Sequence, residues 1–183
     1  MKNSIKFIFT IAITLLFTSN LASQNCIVSN TDTPSGTMGR KTNKALFIGQ
    51  SFTACKNGKL TAVLFRIGGG NQVADVELRV FEMKKIAKKP IFTQKITLPK
   101  PLVPIKNFKD TTIKLKEGGL QLEDGKVYTI GLFKAKSNQK KLLRFKSDNK
   151  NNYKEGSLVS NFKIPGGKKQ NKNVDMLFQI TIE

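Results

Sequence analysis

Apolar residues recur at every second position through much of this chain. The clearest case is the C-terminus, where Val174, Met176, Phe178, Ile180 and Ile182 alternate with Asp175, Leu177, Gln179 and Thr181. A period of two places one set on a buried face and the other on the opposite face of a strand. The run from Asp75 to Met83 sets Val76, Leu78 and Val80 against Glu77, Arg79 and Phe81. From Lys59 to Ile67, one face carries Thr61, Val63, Phe65 and Ile67. From Val127 to Lys134, Tyr128, Ile130 and Leu132 are backed by Val127, Gly131 and Phe133. Weaker strand patterns run over 45–54, 91–98, 111–116, 141–145 and 157–162. No segment after the N-terminal stretch has helical periodicity.

Turn residues separate these runs. Asn57-Gly58 is the strongest short hairpin signal. Gly68-Gly69-Gly70-Asn71, Asp124-Gly125 and Gly166-Gly167 punctuate the others. Pro99, Pro101 and Pro104 form a stiff connection, unsuited to a central strand. The pattern predicts an all-β fold: an antiparallel β-sandwich of about eight or nine strands, jelly-roll-like, with an immunoglobulin-like sandwich as the alternative. The predicted sandwich covers 45–183. Residues 24–44 read as a mobile lead-in, and Lys163 to Asn173 as a long polar loop.

The opening residues depart from this pattern. Lys2 and Lys6 precede an apolar run from Phe7 to Phe17, followed by Thr18, Ser19, Ala22 and Ser23. A charged start, a short apolar middle and small residues form a signal peptide over 1–23. The run is too short to span a bilayer, which takes about 20 residues. Ser-Gln-Asn before Cys26 is not a lipid-attachment pattern. The expected localisation is secreted, periplasmic or cell-surface, with no integral membrane segment in the mature chain. Cys26 and Cys55 then form an even pair in an oxidising compartment, and a disulfide is expected.

Composition narrows the chemistry. The chain has no histidine and no tryptophan. That removes Ser-His-Asp and Cys-His catalysis, histidine zinc sites and the commonest sugar-stacking side chain. Lysine and arginine total 32 against 12 acids, a formal charge of +20. Such a surface attracts acidic polysaccharide, lipopolysaccharide or DNA at low salt, nucleic acid only non-specifically. Scattered lysines also simply confer solubility.

Individual motifs are mostly structural. Leu122, Gly125 and Tyr128 have the spacing of a tyrosine corner, in which the hydroxyl bonds upstream backbone. The glycine triplet lacks phosphate-loop spacing. Asp148, Asn149, Asn151, Asn152 and Glu155 surround Tyr153. This oxygen-rich loop gives a weak prospect of structural calcium, opposed by Lys146, Lys150 and Lys154; no cofactor is otherwise expected. The same loop is the candidate ligand-binding site, with Tyr153, Asn151, Asn152, Lys150 and Arg144 as contacts and no metal ligand among them. Asp75 with Glu77, and Glu123 with Asp124, are set aside as acid–base pairs: strand neighbours point to opposite faces and turn acids are solvated. The chain is not expected to be an enzyme.

The order Gln50-Ser51-Phe52-Thr53, Gly58-x-Leu60-x-x-Val63, Val76-x-Leu78-x-Val80, Leu122-x-x-Gly125-x-x-Tyr128-x-Ile130, Tyr153-x-x-Gly156 and Asp175-x-x-Phe178 resembles secreted bacterial jelly-roll modules similar to carbohydrate-binding domains. That resemblance covers most of 45–182 and implies a non-catalytic binding module for glycan or another cell-surface polymer. The alternative is a basic structural or adhesive extracellular protein that holds polyanions by charge.

Overall fold

The computed structural model describes residues 25–31, 36–68, 70–98, 108–116, 118–163 and 170–183. The expected signal peptide, most of the proline connection and the Gly166-Gly167 turn lie outside them. Fourteen strands occur among the described residues, and no helix. They are β1 (Cys26–Asn30), β2 (Gly36–Thr42), β3 (Leu46–Thr53), β4 (Gly58–Gly68), β5 (Asp75–Phe81), β6 (Phe92–Thr97), β7 (Phe108–Lys114), β8 (Leu120–Leu122), β9 (Val127–Lys134), β10 (Lys141–Asp148), β11 (Ser157–Ser160), β12 (Gln170–Asn171), β13 (Asp175–Met176) and β14 (Phe178–Ile182).

They form two antiparallel sheets of a β-sandwich. An eight-stranded sheet runs β1-β14-β4-β10-β13, with β2 on β10 and with β7 and β8 on β4. A six-stranded sheet runs β12-β11-β3-β9-β5-β6. The core between them is built from the predicted alternation: Leu46, Ile48 and Phe52 of β3, Leu78 of β5, and Ile130 and Leu132 of β9 face Val63, Phe65, Leu143, Phe145, Phe178 and Ile180 of the other sheet. All of these are at most 1% exposed. Burying each large apolar side chain contributes roughly 1.5–3 kcal/mol.

Three expectations are corrected. The chain after residue 24 is not a lead-in outside the sandwich: β1 pairs with β14 from Cys26↔Ile182 to Asn30↔Phe178, and β2 pairs with β10 over seven residues. Val28 and Met38 sit in the core. The polar, basic look of Gly36 to Thr42 reflects an edge strand, of which only one face meets the core. Second, Asn57-Gly58 does not make a hairpin. It joins β3 of one sheet to β4 of the other, because Phe52 and Val63, both fully buried, have to face each other across the core. Third, the nine-residue C-terminal pattern splits at Leu177. β13 pairs β10, β14 pairs β4, and Asp175 and Leu177 are buried as well.

The Cys26–Cys55 disulfide is formed, with Cα atoms 6.1 Å apart. It ties β1 to the β3–β4 crossover.

Candidate functional site

The residues expected to bind ligand are divided by the fold. Arg144 lies on β10 between Leu143 and Phe145, both fully buried, so its side chain belongs to the outward face of the eight-stranded sheet. Tyr153 lies at the opposite side of that strand's end. Its hydroxyl accepts a hydrogen bond from Thr53 N at 3.2 Å, and its ring packs edge-on against core Phe178 at 5.3 Å. Burial pushes its hydroxyl pKa up to about 12. Tyr153 thus closes the end of the sandwich while also lining the groove beside it. Asn152 is exposed beside it and lines, with Ile27, Cys55, Gly125 and Glu155, a groove of about 690 Å³. Lys150 is exposed, and Asn151 occupies left-handed backbone at φ 53° with its side-chain oxygen buried.

Asp148 and Asp175 are directly opposed on β10 and β13 and both 0% exposed. Asp175 accepts from Gln50 Nε2 at 2.8 Å and from Tyr153 N at 3.2 Å. Burial, opposed by these bonds and reinforced by Asp148, raises its pKa to about 6. Among the described residues no group of three or more acidic, cysteine or histidine side chains is placed to hold a metal.

Tyr128 takes up the corner geometry. Its hydroxyl accepts from Glu123 N at 3.0 Å, while Gly125, at φ 70°, turns the chain into β9. Leu122 is fully buried beneath it.

A second groove, which the sequence reading did not assign, lies on the outward face of the six-stranded sheet. Its geometry follows from register. Phe47, Phe133, Glu77 and Lys95 are successive cross-strand neighbours on β3, β9, β5 and β6. The next row is Gly49, Gly131, Arg79 and Thr93. The two opposed glycines are required, because a Cβ on Gly131 would lie 2.3 Å from Ile48 O and one on Gly49 would lie 2.5 Å from Ile130 O. Over this glycine floor the Phe47 ring meets Phe81 edge-on at 5.4 Å. Arg79 stacks on Phe133 at 3.4 Å and donates to Glu77 at 2.6 and 2.8 Å.

Beyond that row, Phe133 forms part of a groove of about 450 Å³ with Asp75, Glu77, Lys95, Ile96 and Thr97. Arg79 lies on one side of the Phe133 row and Asp75, Thr97 and Ala135 on the other, so the groove opens on the side away from the guanidinium. Asp75 accepts from Thr97 Oγ1 at 3.2 Å. The groove therefore presents an apolar ring, two carboxylates, a lysine and a hydroxyl on three rigid strands. Setting Asp75 and Glu77 aside as opposite-facing was mistaken, since residues two apart on a strand share a face. Both carboxylates already accept hydrogen bonds from the protein, which suits recognition.

No family model matches this sequence, and no curated protein matches it in sequence. Four solved chains share the fold. One is a clostridial cysteine protease, Cwp84, after propeptide cleavage: TM-score 0.52, 12% identity, covering 90% of this chain and 41% of that one. Another contains the cysteine protease and lectin-like domains of Cwp84, a surface layer associated protein of Clostridium difficile, with a TM-score of 0.50 at 12% identity, covering 90% of this chain and 37% of that one. This chain spans about two-fifths of the length of either. At that identity the likeness is one of fold. No helix among the described residues is long and apolar enough to cross a membrane.

Proposed function

We propose that this chain is a secreted, non-catalytic module that binds a glycan in the groove on its six-stranded sheet. The observation that carries the reading is the row Phe133–Glu77–Lys95, which puts a stacking surface beside hydrogen-bond acceptors and a donor in one groove. A sugar ring has an apolar face and a polar edge. Phe133 suits the first, and Asp75, Glu77, Lys95 and Thr97 suit the second. The disulfide supports export to an oxidising compartment. The likeness to a protein that contains a lectin-like domain supports a binding role.

A glycan array, run at low and physiological salt, tests it. Phe133→Ala and Glu77→Gln should each abolish salt-resistant binding, while Asn152→Ala in the other groove leaves it intact. Loss with Asn152→Ala alone would move the site to the Tyr153 loop. Melting midpoints of all variants separate lost binding from lost fold.

A further inference from the structure

The outward face of the eight-stranded sheet has a different character from the groove side. Leu143 and Phe145 point into the core, so Leu142, Arg144 and Lys146 point outward from β10. They oppose Lys41, Gly39 and Thr37 of β2. On the other flank, Phe145 pairs with Ile67 of β4, and Leu177 then lies between the two strands, accepting from Arg66 N at 3.3 Å and donating to Lys146 O at 3.1 Å, so that Arg66 and Lys146 flank it. Arg66 opposes Asp110 of β7 and holds it in a two-pronged ion pair at 2.6 and 3.0 Å. Along β2, β4, β7 and β10 this face therefore carries Lys41, Arg66, Lys114, Arg144 and Lys146, against two acids among the described residues of those strands: Asp110, which Arg66 engages, and Asp148 at the end of β10, which is fully buried.

The face is a plain sheet surface. Gly39 and Gly68 leave it low between the cations. Residues two apart on one strand lie roughly 6.5–7 Å apart, and neighbouring strands about 4.8 Å, so the backbone positions that carry these cations are regularly spaced.

We infer that this face binds a linear acidic polysaccharide, independently of the groove on the opposite sheet. Charge complementarity selects an anion, and the flat, unbranched geometry selects an extended chain bearing a carboxylate or sulfate at regular intervals. Nucleic acid fits less well. Reading a duplex groove takes a protruding helix or β-ribbon, and this face offers neither. Single strands are held by bases stacking on open aromatic rings, whereas Phe108 at this face is capped by Lys146 Nζ at 4.6 Å.

The test compares two variants with the same loss of net charge. One is Lys41→Gln/Arg144→Gln/Lys146→Gln. The other is Lys84→Gln/Lys85→Gln/Lys88→Gln, three residues in the segment after β5, among which all three lysines are exposed. Binding to sodium polygalacturonate, duplex DNA and neutral dextran is titrated across a salt series, with melting midpoints in parallel. The sheet variant should lose about tenfold or more in polygalacturonate affinity, and its salt dependence should flatten; the segment variant should change by less than about twofold. Equal losses in both would reduce the effect to net charge and overturn the site. Stronger binding to duplex DNA than to polygalacturonate, lost in the same variant, would overturn the choice of partner. If substitution at Arg144 lowers the melting midpoint, Lys41→Gln/Lys114→Gln at two exposed positions, set against Lys84→Gln/Lys85→Gln, gives the same comparison at equal charge loss.

Discussion

Two tyrosines spend their hydroxyls on backbone amides, Tyr128 on Glu123 N and Tyr153 on Thr53 N. Tyr128→Phe keeps the ring against Phe52 and removes only the bond. We expect a loss of about 0.5–1.5 kcal/mol in urea unfolding, with glycan binding by the folded protein unchanged. A variant as stable as the parent but unable to bind would make Tyr128 a contact residue. Gly131 is under a harsher constraint: its added Cβ meets three backbone atoms of β3, not a side chain that could swing away. Gly131→Ala should cost about 1–3 kcal/mol, as overpacking does. It should also disturb the Arg79–Phe133 stack and so weaken binding in the groove. A neutral Gly131→Ala would show that β3 and β9 can separate freely.

At the scale of elements, the disulfide has the clearest consequence. Cys26 and Cys55 are 29 residues apart. Closing that loop should stabilise by about 3–4 kcal/mol in the chain-entropy model. Because β1 holds its place by pairing with β14 and burying Val28, Cys26→Ser/Cys55→Ser should still fold, with a lower unfolding midpoint. Thiol labelling of unreduced, unfolded parent should find no free cysteine, and two labels per chain would refute the pairing. The crossover that carries Cys55 also shows where local signals fail. Asn57-Gly58 correctly marks a tight change of direction, but whether the chain returns beside itself or passes to the facing sheet depends on where both flanking strands bury their apolar faces.

For the whole molecule, far-ultraviolet circular dichroism of residues 24–183 should show a β spectrum without helical minima. Its stability should also respond to pH through Asp175. The folded pKa of about 6 lies above the ordinary carboxylate value of 3.8. Between about pH 4 and 6 the folded state holds a proton that the unfolded state has released, so stability falls as pH rises through that window. Two pKa units correspond to about 3 kcal/mol at most. Unfolding free energy should therefore increase when the pH is lowered from 7 to 5, and Asp175→Asn should flatten that slope. The opposing group, Asp110, is exposed and held low by Arg66, so it contributes little, and only at lower pH. A parent protein no more stable at pH 5 than at pH 7 would contradict the burial of Asp175.

The fold class and ten of the fourteen strands, Val127–Lys134 to the residue and β13 with β14 as one run, were legible in the sequence, because inward and outward alternation is a local property of each strand. So was the cysteine pair, since only two cysteines exist. Strands β1, β2, β8 and β12 were not. They are short or edge strands, and β1, β2 and β8 pair with neighbours distant in sequence. The groove was half visible: alternation had already placed Glu77 with Arg79 and Phe133 with Gly131. Only register could set Phe133 beside Glu77 and Lys95, and register is decided by how three strands from different parts of the chain pack on one core. The same packing carried Arg144 away from Tyr153, although nine residues separate them. Short spacing implies proximity within a loop, but a strand that ends between two sheets sends its two faces to opposite sides of the molecule.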